Sequence, residues 1–478
     1  MHRMLISYFV KNRVIISLLF ICVTSRILTT INYIEDIDSL RFALSAIKFD
    51  ILDSRPHFPG YAVYCFFLQF VYFFIKNIGI TFSLLGGISI FFIIFYSKKI
   101  LDELEISYTF YFVILLFFNP LLWLMSNRYM PDIMGLSFLI IGLYFFIKIL
   151  KYHKLRYYIF LGISLAILAG IRLSFIPFFL PIIFLLNNSK FKYTLISCLI
   201  ATLIWLIPLI YITEFKNFIA ILLNDFDGHF FKWGGTILSS NVSYIDRLKK
   251  VFEFTFADGL SFWSKDRNWI TILNSFFLVI ASSIFIFKQS KTICFKMKKE
   301  YYLVLLCYLS YFLWIYFFQN INYKSRHIIP FIPLIITFLS IAISSLNNTK
   351  IFSKIFLYIG IIIHIYITMN LIIQHKYPSA ISQINSYILN SDNKNIVVVA
   401  DGLKLFYWSK LIPKNTVNFV NSNKINNDMI IKYYNSGYTI LSTTRLNILG
   451  GIDYQKLDFY HNPFVNRLWS HLIIYKYE

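Results

Sequence analysis

Apolar runs long enough to cross a lipid bilayer recur along this chain. Most of them contain about 18 or more mostly apolar residues, and together they occupy most of the sequence between residues 13 and 374. Of the 478 residues, 58% are hydrophobic, and the mean hydropathy is +0.65. A soluble core of this size cannot remove so much apolar surface from water. The sequence therefore predicts an all-α, multi-pass membrane domain.

We place about eleven transmembrane helices on these runs. The basic N-terminal sequence MHRMLISYFVKNR precedes an apolar stretch that is too long for a signal peptide, which predicts an uncleaved first span. The predicted spans are 13–31, 79–97, 108–127, 132–150, 157–171, 173–187, 193–212, 269–287, 300–319, 327–346 and 354–374.

The net charge of +22 follows the positive-inside pattern of membrane proteins. On a soluble protein this charge would indicate nucleic acid, but here the lysines and arginines are concentrated in alternate loops, so we expect membrane lipid and no nucleic acid as partners. The basic loops are 98–99, 148–156, 190–192, 288–299 and 350–354. They all lie inside only if the apolar stretch 58–77 does not cross. The distribution therefore predicts a cytoplasmic N-terminus and a juxtamembrane helix at 58–77 on the outer surface.

The same topology divides the chain into two domains. Residues 1–375 are predicted to form the membrane domain, with a first outer loop at 32–60 and a long outer loop at 213–268. Residues 376–478 are predicted to form a small extracytoplasmic α/β domain. In that domain NKNIVVVADG and GYTILSTT indicate strands, and LKLFYWSKL between them indicates a helix. The five cysteines show no closely spaced pair, so neither a disulfide framework nor a zinc site is indicated.

The first outer loop begins with three acids, Glu35, Asp36 and Asp38. Acids just outside a membrane can act as a general base or bind a divalent cation, and a solvated, helix-capping loop is the alternative. The residues after these acids favour a functional role. The amphipathic run LRFALSAIKF leads to DSRPHFPGY, where Pro56 and Pro59 restrict the backbone. Such a stretch can pack against membrane helices and hold its own polar groups in place.

The segment DIDSLRFALSAIKFDILDSRPHFPGY resembles the first outer loop of the GT-C superfamily of polytopic glycosyltransferases. The most similar pattern is the bacterial branch related to protein O-mannosyltransferases and lipid A aminoarabinose transferases, which take sugars from polyprenyl-phosphate donors. The resemblance places Asp38 on the acidic position, as catalytic base, with Asp36 as the alternative. PHFPGY falls on a His-Pro-Pro-like motif that opens a juxtamembrane helix. The chain departs from the pattern at Phe58, where many relatives have proline, and at Ser39, where many have glutamate.

Three later segments resemble further GT-C motifs in the same order along the chain. They are SNRYMPD, GIRLSFIPFFLP and KSRHIIPFIP, in the last of which His327 replaces a tyrosine of the family. The resemblance and the outer positions of these segments give candidate ligands for the donor phosphate. These are Arg128, Arg172, Arg326 and Lys324. Asp132 is expected to hold a cation or to orient an arginine.

Each of these candidates also has an alternative interpretation. The arginines lie at the outer ends of spans, from which their side chains can extend to the surface instead of binding phosphate. His57 and His327 are supporting candidates that either pack structurally or touch the donor. In the long loop, Asp225 and His229 are candidate metal ligands together with Asp227, and Trp233 is a candidate for stacking on a sugar; an ordinary structured loop is the alternative. A divalent metal ion is the candidate cofactor, and the sequence does not specify which metal.

With the resemblance, the sequence predicts a membrane glycosyltransferase of the bacterial cytoplasmic (inner) membrane. It would move a sugar from a polyprenyl-phosphate donor to a glycan, lipid or protein acceptor on the extracytoplasmic side. Three alternatives stay open: a glycan polymerase or ligase of another fold, a lipid-carrier transporter, and an inactive scaffold relative. A transporter usually has polar groups at the bilayer midplane and internal repeats, whereas these acids lie in loops on one side.

Overall fold

A computed structural model of the chain describes residues 2–106, 110–240, 242–284, 298–321, 323–347, 351–391, 395–413, 416–447 and 452–478. Cys294, Lys350 and most of the predicted basic loop 288–299 lie outside the described residues. The chain divides into two compact units. The membrane unit comprises residues 1–30 and 44–373, and the C-terminal unit comprises residues 31–43 and 374–478.

The chain is mostly helical, as its apolar runs predict. Within the described ranges, seven helical segments are long and apolar enough to cross a membrane, or eight if one bent pair forms a single span. The helices up to residue 375 are α1 His2–Leu28, α2 Ile37–Ile47, α3 Ala62–Ile75, α4 Ile78–Glu103, α5 Phe110–Phe117, α6 Pro120–Asn127, α7 Asp132–Tyr152, α8 Leu155–Arg172, α9 Phe191–Thr213, α10 Phe215–Asp227, α11 Tyr244–Glu253, α12 Ile270–Ile284, α13 Lys299–Phe318, α14 Ile332–Asn347 and α15 Ile351–His375. Two 3-10 helices, Leu173–Leu185 and Ser325–Phe331, follow α8 and precede α14.

The helical residues 155–185 reverse direction at Arg172. The backbone there has φ −152° and ψ 79°, outside the helical region, and the 3-10 helix begins at the next residue. Lys190 Nζ donates to the carbonyl of His153 at 2.9 Å, so the chain has returned to the end at which α8 begins. The two arms coincide with the predicted segments 157–171 and 173–187. At about 1.5 Å per residue in the α-helix and about 2.0 Å in the 3-10 helix, each arm is close to a membrane thickness.

The predicted span 108–127 is broken rather than continuous. Its halves α5 and α6 are bent by 48°. Asn119 in the break caps α6, since its Oδ1 accepts from the backbone of Leu122 at 3.0 Å. Arg26 supplies a hydrogen bond at the break, since its Nη2 donates to the carbonyl of Phe117 at 3.1 Å. The break therefore persists because side chains satisfy the backbone groups that it releases.

The C-terminal unit contains a small mixed sheet. Its described strands follow the order β2-β1-β3-β5-β4. The elements are α16 Ala380–Leu389, β1 Ile396–Ala400, α17 Gly402–Leu411, β2 Val417–Asn421, α18 Asn427–Asn435, β3 Thr439–Ser442, β4 Gln455–Tyr460 and β5 His471–Tyr477. Strands β2, β1 and β3 are parallel, and β5 and β4 extend the sheet antiparallel. Every residue of the internal strand β1 is buried, as its sequence IVVVA predicts for a strand covered on both faces.

Residues 31–43 belong to the C-terminal unit, although the sequence analysis placed the whole first outer loop in the membrane domain. Glu35 Oε1 lies 2.9 Å from His375 Nε2, and both side chains are almost completely buried. Asn466 Nδ2 donates to Asp36 Oδ2 at 3.3 Å. These contacts join residues that are far apart in sequence, which is why local patterns did not reveal them.

Candidate active site

A buried ion pair joins the start of α7 to the end of α8. Arg172 Nη2 lies 2.9 Å from Asp132 Oδ1. Asp132 is 0% exposed and Arg172 is 5% exposed. Gly135 permits this close approach, because a Cβ atom there would lie 2.8 Å from the Cβ of Arg172. Of the two roles predicted for Asp132, this contact favours orienting an arginine.

The segment PHFPGY brings a tyrosine and a histidine to this pair. Arg172 Nη1 donates to Tyr61 Oη at 3.4 Å, and His57 Nε2 lies 3.2 Å from the same hydroxyl. The chain turns sharply just before Tyr61, at Gly60, whose φ of +88° favours glycine. A Cβ at Gly60 would also lie 2.6 Å from Ile51 Cδ1. The turn therefore places the Tyr61 hydroxyl beside Arg172 and His57. Tyr61 had no predicted role in the sequence.

The segment SNRYMPD reaches the same region through Met130. Tyr64 Oη, in the first turn of α3, donates to the carbonyl of Met130 at 3.0 Å. Arg326 Nη1 lies 3.1 Å from Met130 Sδ, and Arg128 Nη1 lies 3.7 Å from Met125 Sδ. Arg128 and Arg326 are buried. These arginine side chains therefore lie inside the protein rather than extending to its surface.

The segment KSRHIIPFIP completes the arrangement through His327. Tyr311 Oη donates to the carbonyl of His327 at 3.0 Å, and the imidazole is buried. The ring of Phe175 lies 5.7 Å from the ring of Tyr311 and 5.8 Å from Arg172 Cζ. Lys324 precedes the second 3-10 helix and is half-buried. Four segments singled out in the sequence thus meet in the membrane unit.

We refer to the central residues of this region as the arginine cluster. They are His57, Tyr61, Asp132, Arg172, Arg326 and His327. In the part of the chain that is described, Asp132 Oδ2, Arg172 Nε and His327 Nδ1 are buried without a hydrogen-bond partner. Buried polar atoms are normally satisfied, so such atoms indicate a place for a ligand or water. Guanidinium and phenol groups donate hydrogen bonds, and guanidinium pairs well with the oxygens of a phosphate.

The acidic residues of the first outer loop are held within the C-terminal unit. Asp36 precedes α2, and its Oδ1 accepts from the backbone of Ser39 at 2.8 Å, which is helix capping. Asp38 lies in the first turn of α2, with Oδ1 3.5 Å from Arg41 Nη1. Both carboxylates are buried. Asp36 therefore has a structural task, and the role of Asp38 as base stays a prediction.

The long-loop residues considered for metal binding have other contacts. Asp227 forms an ion pair with Lys232, and His229 Nε2 donates to the carbonyl of Phe318 at 2.9 Å. Burial lowers the pKa of His229, as does the Lys324 ammonium, whereas the bond to the Phe318 carbonyl raises it. Across the described ranges, no group of three or more His, Cys, Asp or Glu side chains could hold a metal ion. Asp225 is not joined to such a group either, and the divalent metal ion stays a prediction.

Comparison with known proteins finds similarity in structure alone. No family model and no curated protein sequence matches the chain. The crystal structure of ArnT from Cupriavidus metallidurans bound to undecaprenyl phosphate matches with a TM-score of 0.54 and 10% identity over 97% of each chain. The apo structure of ArnT from the same organism matches with a TM-score of 0.53 and 10% identity over 98% of each chain. The chain thus has an ArnT-like fold. This structural similarity is distant, and it supports the predicted GT-C fold.

Proposed function

We propose that this multi-pass membrane protein is a glycosyltransferase that moves a sugar from a polyprenyl-phosphate donor to a cell-envelope acceptor. The observation that carries the proposal is the arginine cluster, in which a buried Arg172–Asp132 pair adjoins the Tyr61 hydroxyl. Four separate segments of the sequence build it. The ArnT-like fold, found in a protein that was crystallised with undecaprenyl phosphate, supports the same conclusion.

The cluster is suited to a phosphate that becomes a leaving group. As the bond between the anomeric carbon and the phosphate oxygen breaks, negative charge grows on that oxygen, and donors already in place stabilise it. Arg172 is the first candidate, because Asp132 orients it and its fork of N–H groups matches phosphate oxygens. Arg128, Arg326 and Lys324 are the further candidates, and His57 and His327 are supporting residues.

The acceptor must lose a proton as its oxygen attacks the anomeric carbon. In this proposal the carboxylate of Asp38 accepts the proton as the general base, with Asp36 as the alternative. The new glycosidic bond forms as the bond to phosphate breaks, and polyprenyl phosphate leaves. The capping bond of Asp36 to Ser39 supports the choice of Asp38. The acceptor is a glycan, a lipid or a protein, and a divalent metal ion is a candidate cofactor.

The proposed topology has eleven crossings, with 58–77 on the outer surface of a bacterial inner membrane. Residues 31–43 and 374–478 form one compact unit, so both lie on the same side of the membrane. The chain between them must then cross an even number of times. Eleven predicted spans less the first leave ten, provided that 58–77 does not cross. This parity supports the topology inferred from the positive-inside pattern.

We expect reporter fusions after Lys99, Lys151 and Glu478 to report inside, inside and outside. The physical reason is that the basic loops of the membrane unit remain on the cytoplasmic side. The measurement is the paired activity of a periplasmic and a cytoplasmic reporter at each junction. An inside reading after Glu478 would reverse the side assigned to the C-terminal unit and overturn the extracytoplasmic reaction.

Binding of the carrier lipid tests the proposed function without knowledge of the sugar. Undecaprenyl phosphate is expected to raise the unfolding temperature of the purified chain in detergent, because a ligand that binds the native state stabilises it. Undecaprenol, which lacks the phosphate, serves as the matched control and should have little effect. Equal shifts with both lipids, or no shift with either, would count against a phosphate site.

A further inference from the structure

Helix α11 presents three distinct faces. One face is buried in the membrane unit and includes Arg247 and Val251. A second carries the charges, with Asp246 and Lys249 paired at 3.3 Å and largely exposed. The third is apolar and yet exposed, and its members are Tyr244 at 64%, Ile245 at 67%, Leu248 at 37% and Phe252 at 52%. At about 100° per residue, the centres of the three faces lie roughly a third of a turn apart.

The buried face fastens α11 to the end of a membrane-crossing helix. Arg247 Nε donates to the carbonyl of Tyr316 at 2.9 Å, and its Nη2 donates to the carbonyl of Gln319 at 2.9 Å. Tyr316 Oη donates in turn to the carbonyl of Tyr244 at 3.0 Å. These groups lie in the last turn of α13 and just beyond it, and α13 is long and apolar enough to span a membrane. Because α13 is expected to end at the membrane boundary, α11 lies at the level of that boundary.

Helix α10 likewise has one buried face and one exposed apolar face, and it follows the end of another span. It starts two residues after α9, and its buried Phe218 packs on Leu209 of that span. Its exposed apolar residues follow helical spacing and are Phe215 at 67%, Ile219 at 36%, Leu223 at 60% and Phe226 at 54%. Lys216 is exposed beside this stripe. Two helices of the long outer loop thus each turn an uncovered apolar stripe outward at the level of the membrane boundary.

We infer that α10 and α11 are interfacial helices whose exposed apolar stripes lie in the outer surface of the lipid bilayer. An amphipathic helix with an apolar stripe beside basic residues binds at the boundary of headgroups and acyl chains, and aromatic residues are enriched there. The spans that hold these helices also carry exposed apolar residues, such as Ile207 of α9 and Leu313 of α13. The long loop 213–268 then rests on phospholipid rather than extending into water. This inference does not depend on the proposed catalytic activity.

Spin labels on the full-length chain in nanodiscs test the placement. Single-cysteine substitutions Leu248→Cys and Phe252→Cys place a nitroxide on the stripe of α11, and Lys249→Cys places one on its charged face. We expect labels at 248 and 252 to collide several-fold more with oxygen, which dissolves in lipid, than with a water-soluble nickel chelate, and the reverse at 249. The unsubstituted protein gives the labelling background of the native cysteines, and unchanged thermal unfolding shows that each variant is folded.

Two outcomes would overturn the inference. If labels at 248 and 252 are as accessible to the nickel chelate as the label at 249, the stripe faces water. If they are shielded from both oxygen and nickel, protein covers the stripe instead of lipid.

Discussion

Asp38→Asn is expected to abolish sugar transfer while leaving expression and membrane insertion unchanged. The amide is nearly isosteric with the carboxylate but cannot take a proton, and loss of a general base typically lowers turnover by about 10²–10⁴-fold. The measurement is the turnover of a polyprenyl-phosphate sugar by purified variants in detergent. Asp36→Asn is the matched control from the same loop, since asparagine caps a helix about as well as aspartate.

The relative losses of turnover in Asp38→Asn and Asp36→Asn identify which carboxylate is the base. A loss with Asp36→Asn and not with Asp38→Asn would transfer the role to Asp36 within the same loop. Full turnover in both single variants and in the double variant would show that this loop does not carry the chemistry. The scaffold and transporter alternatives would then lead.

The second large effect is expected at Arg172. Arg172→Ala should strongly reduce donor use, because the oriented guanidinium is the first candidate for the leaving phosphate. It also leaves Asp132 buried and uncompensated, and breaking a buried pair in this way costs about 3–5 kcal/mol of stability. Arg172→Lys should restore activity in part, since a point charge cannot reproduce the two-pronged geometry of the guanidinium.

A double variant that removes both charges separates the role of Arg172 in folding from its role in sugar transfer. The double variant Asp132→Asn/Arg172→Gln removes both charges and should unfold closer to the native temperature than Arg172→Ala, yet remain inactive. Arg247→Gln is the control for a buried arginine, because Arg247 donates to carbonyls at the end of α13; it should lower stability without changing the donor KM. If the double variant transfers sugar like the native chain, Arg172 does not serve the phosphate.

The apolar runs were sufficient to predict a mostly helical, multi-pass chain, with seven or more described helical segments long enough to cross a membrane, but not the internal break at 118–119. The span 108–127 is interrupted because Arg26 and Asn119 satisfy the backbone groups at the break. A hydropathy pattern does not register such compensation, since it depends on a side chain from another helix. The reversal at Arg172 was anticipated by two short apolar segments on either side of a charged residue.

Much of the arginine cluster could be predicted because its members lie in polar segments between apolar runs. Arg172, Asp132 and Arg326 were singled out in this way, although the sequence did not indicate which arginine Asp132 would contact. Tyr61 was missed because a tyrosine beside an apolar helix is expected to pack as a hydrophobic residue. Gly135 gave no signal either, since its importance arises from the approach of Arg172 on a neighbouring helix.

The partners of the first outer loop were the least predictable feature. The pair Glu35–His375 joins positions that are 340 residues apart. Glu35 was noticed as one of three acids, but its partner ends a long apolar helix and carried no distinguishing pattern. Long-range hydrogen bonds of this kind are fixed by tertiary packing, which local sequence does not encode.

Release of polyprenyl phosphate from a polyprenyl-phosphate-linked sugar is the decisive measurement for the proposed glycosyltransferase activity. Purified full-length protein is incubated with a panel of such donors and a cell-envelope extract as the source of acceptor, and both lipid products and labelled acceptor are measured. We predict release of polyprenyl phosphate coupled to labelling of the acceptor, with both lost in Asp38→Asn and strongly reduced in Arg172→Ala. Release that is the same in the native chain and in both variants, or no release from any donor by a folded chain that binds undecaprenyl phosphate, would contradict it.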